Sequence, residues 1–170
     1  PSVKSRRRSD PRQQPLSLAP ATDSNPPPLP LTAIRRLWFC IYLPALPLEA
    51  LRNGIDASAV FEEDKGIRKI LLVNKAALAA GIRPGLSINA ALALKLTLCL
   101  KERNPNREIR VLKELAEWAL TFTSFVCIEA PSLLLLEIAG SLHLFGGLKT
   151  LRQQIVSGLE NRGFHAPLAI

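Results

Sequence analysis

The chain has 170 residues, 48% of them hydrophobic and 21% charged, which fits one globular domain of ordinary size, alone or with a tail. No apolar run approaches the roughly 20 residues that span a bilayer, and no apolar segment follows the arginines near the N-terminus, so the sequence predicts neither a membrane protein nor a secretory signal. The net charge is +8, of which residues 1–36 contribute +5 and residues 37–170 contribute +3. A basic excess outside the main domain indicates nucleic-acid binding more weakly than a basic domain would.

Residues 1–36 are predicted to form a disordered tail. They contain eight of the 14 prolines, together with Gln, Ser and Arg, and show no apolar periodicity. The run Arg6, Arg7 and Arg8 is a candidate contact for phosphate groups. The competing interpretation is a solvated charged segment, which is what such runs of charge more commonly form.

From Leu37 onward the pattern becomes that of a folded domain. Residues 37–42 are wholly apolar, which is typical of a strand buried on both faces. A short helix over residues 46–52 follows, and Asn53-Gly54 ends it. Two strands over residues 59–62 and 68–73 flank a turn, and two small helices over residues 75–80 and 88–95 begin at the capping residues Asn74 and Ser87.

The second half of the domain contains the longest predicted helix. A strand over residues 96–100 precedes a helix over residues 105–121, which begins at Asn104-Pro105. Its predicted buried face consists of Ile109, Leu112, Leu115, Ala116, Ala119 and Leu120. Strands over residues 124–129 and 133–138, a helix over residues 149–161 after Gly146-Gly147 and a strand from residue 164 complete the chain. This alternation of strands and helices favours a layered α+β fold.

The three cysteines are predicted to be buried thiols. Cys40, Cys99 and Cys127 each lie in an apolar stretch, and none belongs to a C-x-x-C motif. His143 and His165 do not have zinc-finger spacing relative to them. The pattern indicates core residues in a reducing compartment.

Three segments, in this order and at this spacing, resemble the palm and fingers of the Y-family (translesion) DNA polymerases, and in particular the ImuB-like, non-catalytic branch. They are residues 37–51, 71–92 and 133–147. The positions that match the family are Leu48 and Glu49 in the first, Gly81, Arg83 and Gly85 in the second, and Glu137, Gly140, Ser141 and Phe145-Gly146-Gly147 in the third. The resemblance implies a partial palm over residues 37–170, with a ferredoxin-like antiparallel or mixed sheet, helices and small fingers, ending before a thumb and little finger.

The resemblance also locates the family's catalytic positions. Active members hold two magnesium ions on three carboxylates, and the aligned positions here are Cys40, Tyr42, Ser132 and Leu133. None of these four is a carboxylate, and thiol, phenol, hydroxyl and isobutyl groups do not suit Mg²⁺. Glu129 and Glu137 are interpreted as structural residues. The sequence therefore predicts no catalytic residue, no metal site and no cofactor, with Mg²⁺ expected only if the chain is an active enzyme.

The family's nucleotide contacts in the fingers are also changed. The Tyr and Arg that hold the triphosphate correspond to Lys75 and Leu78, and leucine offers no substitute for the planar guanidinium fork. The nucleic-acid and phosphate contact candidates are Lys75, Arg83, Arg68 and Lys69 in the domain, and Arg6, Arg7 and Arg8 in the tail. The resemblance does not place them on one face.

The function implied is that of a non-catalytic accessory protein in DNA damage tolerance, acting in the bacterial cytoplasm at the nucleoid. Its implied partners are damaged or primed DNA, bound weakly, an error-prone replicative-type polymerase, the sliding clamp and a small RecA-like companion. One alternative is an active translesion nucleotidyltransferase. A further alternative is a truncated product with no independent function, because unpaired apolar sheet edges favour aggregation.

Overall fold

A computed structural model describes residues 36–51 and 56–169 of the chain. Its strands and helices follow one another in the order β1 Trp38–Tyr42, α1 Leu46–Glu49, β2 Ser58–Asp64, β3 Ile67–Val73, α2 Lys75–Ala79, α3 Ile88–Leu94, β4 Cys99–Glu102, α4 Pro105–Ala119, β5 Val126–Glu129, β6 Leu133–Glu137, α5 Leu148–Glu160 and β7 Leu168–Ala169. The predicted α+β fold is confirmed. Asn53-Gly54 and the tail candidates Arg6, Arg7 and Arg8 lie outside the described residues.

The first sheet has the strand order β5-β6-β1-β7, and every pairing in it is antiparallel. Together with α4 and α5 its strands follow the chain order β-α-β-β-α-β, which is the ferredoxin-like arrangement. Side chains alternate between the two faces of each strand. One face is fully buried: Phe39, Ile41, Leu134 and Leu136 are 0% exposed and share a core with α4 and α5.

The second sheet is inserted between β1 and α4. It has the order β3-β2-β4, in which β2 pairs with β3 antiparallel and with β4 parallel. A separate small core joins it to α2 and α3. Its buried residues are Ala57, Ala59, Ile70, Ala77, Ile82, Ala91 and Leu98. The two sheets thus have separate cores, as a palm with small fingers requires.

Local chemistry explains where several elements begin and turn. Asn74 Oδ1 accepts the backbone N–H of Ala77, and Ser87 Oγ accepts that of Ala90, so both predicted helix caps are confirmed. The β2–β3 hairpin turns at Lys65 and Gly66, which have φ of 51° and 78°. Two consecutive positive φ angles match the twist of the flanking strands, and glycine adopts the second at no steric cost.

Two predictions about the first half of the chain are wrong. The β1 strand is buried on one face only, since Cys40 is half-buried and Tyr42 is 45% exposed. In the described residues, helices cover only one side of the first sheet. The apolar composition of β1 does not show whether one or both faces of the strand are covered. The helix predicted over residues 46–52 is a single turn that ends at Glu49.

Two further predictions, about β4 and α4, are also wrong. The β4 strand starts at Cys99 rather than at residue 96, because Leu98 N–H closes a turn onto the Lys95 carbonyl; Cys99 is exposed, not buried. In α4, Ile109 and Leu120 are 45% and 52% exposed, although both were expected on the buried face. None of the described helices is long and apolar enough to cross a membrane.

An ion-pair cluster connects the second sheet to α4. The Arg103 guanidinium, just after β4, donates to both carboxylate oxygens of Glu108 at 3.0 Å and to Glu62 in β2 at 3.2 Å. The Glu108 side chain is only 4% exposed. The contacts with Glu108 and Glu62 hold the pKa of Arg103 above its ordinary value, and Glu108 has the larger effect. The cluster therefore ties the inserted sheet to the helix that packs beneath the first sheet.

Candidate functional site

The four aligned catalytic positions come together at one end of the first sheet. Tyr42, the last residue of β1, lies directly opposite Leu133, the first residue of β6. The N–H of Leu43 donates to the carbonyl of Ser132 at 2.8 Å, which extends this pairing past the strand ends. Cys40 lies two residue pairs further in, opposite Leu135 and Ala169. All four side chains are neutral.

Two carboxylates lie on the same side of this sheet. Glu129, the last residue of β5, is opposite Leu133 and so shares a row with Tyr42. Glu137 lies at the other end of β6, four residues from Leu133, which corresponds to about 13 Å along a strand. Glu137 Oε1 accepts the backbone N–H groups of Leu37 and Ala139 at 3.3 and 3.0 Å. Only Glu129 is therefore within reach of the aligned positions.

Glu129 has a neighbour of its own. The Cys127 thiol donates to Glu129 Oε1 at 3.4 Å, and this contact, more than burial, raises the pKa of the thiol. Among the described residues, no group of three or more His, Cys, Asp and Glu side chains is placed to hold a metal ion.

The fingers candidates are spread around α2. Lys75 is exposed at the first turn of α2, and Leu78 is 45% exposed on the same helix. The Arg83 guanidinium donates to the carbonyl of Leu78 at 2.7 Å, so part of its donor capacity serves the turn after α2.

The remaining candidates lie on β3. Arg68 forms an exposed ion pair with Glu63 at 2.6 Å, which raises the pKa of the guanidinium. Lys69 is exposed and opposite Ser87 in an isolated bridge. Two of the four described candidates, Arg68 and Arg83, thus already have protein partners.

A large cleft lies elsewhere on the described part of the chain. It has a volume of about 1890 Å³ and is bounded by α1, the start of α2, α4 and the segment after α5. Its charged and titratable lining residues are Glu49, Lys75, Arg107, Arg110, Glu114, Glu160, Arg162 and His165. Both cations and anions line the cleft, and none of the four aligned positions does. Only Lys75 belongs to both the cleft and the predicted contacts.

Sequence reasoning identified Glu49 only as a motif match. In the structure its Oε1 accepts the backbone N–H of His165 at 3.0 Å and lies 3.1 Å from the imidazole Nδ1, whereas Oε2 is buried without a partner. Burial raises the pKa of the Glu49 carboxyl, and the contacts with His165 only partly oppose this. These bonds hold the segment before β7 against α1. Glu49 and His165 are 116 residues apart in the sequence, so no local sequence pattern could have indicated their contact.

Comparison with known proteins supports the fold and the resemblance. No protein-family model matches the chain. Protein ImuB from two strains of Caulobacter vibrioides is 33% identical over 90 residues, which are 53% of this chain and 20% of the relative. The chain therefore spans about a fifth of the length of these curated relatives.

Solved structures of Y-family polymerases have the same fold. The crystal structure of DinB from Sulfolobus solfataricus has a TM-score of 0.59 at 11% identity, and the insertion ternary complex of Dbh DNA polymerase has 0.62 at 10%. Each match covers 78% of this chain and 41% of the polymerase. The resemblance is thereby confirmed at the level that these comparisons reach: the chain is similar to ImuB over 90 residues and has the palm-and-fingers fold of the Y-family polymerases.

Proposed function

We propose that this chain is a non-catalytic, Y-family-like accessory protein of DNA damage tolerance, which binds and recruits rather than joins nucleotides. One observation carries the proposal. The strand pairing brings together Tyr42, Ser132 and Leu133, the positions that the resemblance aligns with metal-binding carboxylates, and Cys40 lies two residue pairs away on the same side.

The residues present do not fit a pair of magnesium ions. Mg²⁺ prefers oxygen ligands in octahedral geometry, and two-metal nucleotidyl transfer needs several carboxylates within a few ångströms. Among the described residues of this sheet, Glu129 is the carboxylate paired with Leu133, and a thiol lies against it. Leu133 can ligate nothing. No step of a transfer reaction can therefore be assigned to this site.

The fingers support the same proposal. Leu78 supplies no charge where the resemblance puts a triphosphate-binding arginine, and Lys75 alone offers a point charge. Weak DNA binding would then come mainly from Arg6, Arg7 and Arg8, as counterion release by clustered cations allows. The partners proposed with it are an error-prone replicative-type polymerase, the sliding clamp and a RecA-like companion, at the bacterial nucleoid.

Primer extension and DNA binding test the proposal. With Mg²⁺ and all four nucleotides, we expect no template-dependent incorporation; incorporation that Ser132→Ala abolishes would establish an active nucleotidyltransferase instead. In fluorescence anisotropy, the triple change Arg6→Ala, Arg7→Ala and Arg8→Ala should weaken binding to any duplex. It should also flatten the slope of log K against log salt by up to about 2.7, at about 0.9 per phosphate contact.

A charge-matched control separates a local contact from a change in net charge. Lys113→Ala, Lys149→Ala and Arg152→Ala remove three exposed cations from α4 and α5, which pack on the opposite side of the first sheet from the aligned positions. Equal loss of affinity in both triple variants would refute a specific DNA role for the arginine run.

A further inference from the structure

Among the described residues, no helix or strand packs over one face of the first sheet, and this face includes the aligned positions Cys40, Tyr42 and Leu133. Because directly paired residues point to the same side, the strand register assigns one set of side chains to this face. We call it the outer face: Trp38, Cys40 and Tyr42 of β1, Leu133, Leu135 and Glu137 of β6, Cys127 and Glu129 of β5, and Phe125 just before β5. None of these side chains belongs to either buried core.

The outer face is apolar at its centre. Phe125 and Tyr42 are 52% and 45% exposed, and the rings of Trp38 and Phe125 meet edge to face with centroids 5.6 Å apart. Leu133 and Leu135 continue the apolar surface along β6. An exposed aromatic pair that continues into leucines is typical of a contact surface rather than of scattered surface residues.

The charges of the outer face are all negative. Glu129 lies at the Tyr42 end and Glu137 at the Trp38 end, and the positions of the outer face within the three strands include no Lys or Arg; the exposed Arg36 lies two residues before β1. Carboxylates at both ends disfavour a phosphate backbone and favour a cationic ligand. The outer face is therefore unsuited to the nucleic acid that the basic residues elsewhere would attract.

The dimensions of the outer face indicate the size of the partner. Three strands about 4.8 Å apart and five residues of about 3.3 Å each give roughly 14 by 17 Å, or roughly 240 Å². A stable dimer buries about 800 Å² on each partner, so a second copy of the chain is too large an occupant. One helix, about 10–12 Å wide and about 11 residues long, covers this area.

We propose that the outer face binds a single amphipathic helix of a partner protein, with an apolar stripe over Trp38, Leu135 and Tyr42. The helix carries Lys or Arg near each end of the stripe, seven or eight residues apart. At 1.5 Å per residue this spacing is about 11–12 Å, which approaches the separation of about 14 Å between Glu129 and Glu137, four residues along the sheet and one strand apart. The inference rests on the proposed function, because an occupied nucleotide site would compete for the same surface.

The test uses the ¹⁵N-labelled full chain and a synthetic 14-residue helical peptide of Leu and Ala with Lys at two positions seven residues apart. The matched control peptide has Glu in place of both Lys. We expect the Lys peptide to shift amide signals in β1, β5 and β6. Electrostatic attraction to the chain as a whole cannot produce this result, since peptide and chain are both cationic. The Glu peptide should produce no shifts.

Variants of the full chain locate the site. Phe125→Ser and Tyr42→Ser should each raise the Kd of the Lys peptide at least tenfold. Leu96→Ser and Leu144→Ser, at residues 86% and 80% exposed outside the outer face, should leave it unchanged. The proposal would be overturned by equal binding of both peptides or by shifts outside the three strands. It would also be overturned by an equal loss of affinity in the control variants, or by duplex DNA shifting the same amides.

A second copy gives a different result. Sedimentation showing a dimer that Phe125→Ser dissociates would assign the outer face to self-association and overturn the proposal. If the chain incorporates no nucleotides and also fails to bind the Lys peptide, this inference is refuted and the proposed function is not. An active polymerase would refute the proposed function, whatever the peptide does.

Discussion

The ion pair between Arg103 and Glu108 is expected to contribute far more stability than the shorter pair between Arg68 and Glu63. The Glu108 side chain is 4% exposed, so Arg103→Ala leaves a buried carboxylate without its counter-charge. Such losses cost about 3–5 kcal/mol, and because the Arg103 side chain is 30% exposed, water offsets part of the loss and about 3 kcal/mol is expected. The Arg68–Glu63 pair, 62% and 42% exposed, should contribute little stability despite its 2.6 Å distance, because water screens it.

Urea unfolding at pH 7, followed by circular dichroism, measures both effects. Arg103→Ala should lower the free energy of unfolding by about 3 kcal/mol with an unchanged m-value, and Arg68→Ala should lower it far less. Adding Glu108→Gln to Arg103→Ala should restore part of the loss, because the amide does not carry the uncompensated charge. The reasoning fails if the two single variants lose equal stability, or if the double variant is no more stable than Arg103→Ala. A transition that is not cooperative in the unmodified chain would favour a truncated product without independent function.

Two further predictions concern packing and pH. Gly158→Ala would place a Cβ 2.3 Å from Trp118 Cζ2, so it should lower the melting temperature by several degrees, corresponding to about 1–3 kcal/mol of overpacking; Gly140→Ala, which meets no atom within 4 Å, should not, and equal melting temperatures would contradict the packing described. Burial raises the pKa of Glu49 above its ordinary value of 4.5. The protonated carboxyl therefore stabilises the folded state below that pH, and this stabilisation is lost as the pH rises through the folded-state pKa. Glu49→Gln should be at least as stable as the unmodified chain at pH 7 and should remove this part of the pH dependence in thermal melts from pH 4 to 8; a large loss at pH 7 would show that the ionised carboxylate is favourable.

Local signals in the sequence predicted much of the fold. The capping residues Asn74 and Ser87 begin helices where expected, because a side-chain oxygen followed by an apolar helical segment is a local pattern. The expected contact between the aligned positions is also present, since Tyr42 pairs with Leu133. Short-range patterns and the motif order were sufficient for these features.

Long-range features could not be predicted in this way. The buried Glu108 is paired with Arg103, which also binds Glu62, 41 residues away in the sequence and on a neighbouring strand of the second sheet. Whether a strand is covered on one face or two depends on where the helices pack, so the apolar sequence of β1 suggested complete burial although Tyr42 is 45% exposed. The outer face follows from the register between distant strands, not from any one segment.

The central claim is that neutral side chains have replaced the carboxylates needed for a metal pair. Titration of the ¹⁵N-labelled full chain with Mn²⁺ tests this most directly, because paramagnetic broadening reports a bound ion whether or not the chain can extend a primer. A variant with Tyr42→Asp and Leu133→Glu places two carboxylates on directly paired residues and serves as the positive control. We predict that substoichiometric Mn²⁺ leaves the amides of residues 40–42 and 132–133 unbroadened in the unmodified chain and broadens them in the variant. Selective broadening of these amides in the unmodified chain would contradict the account.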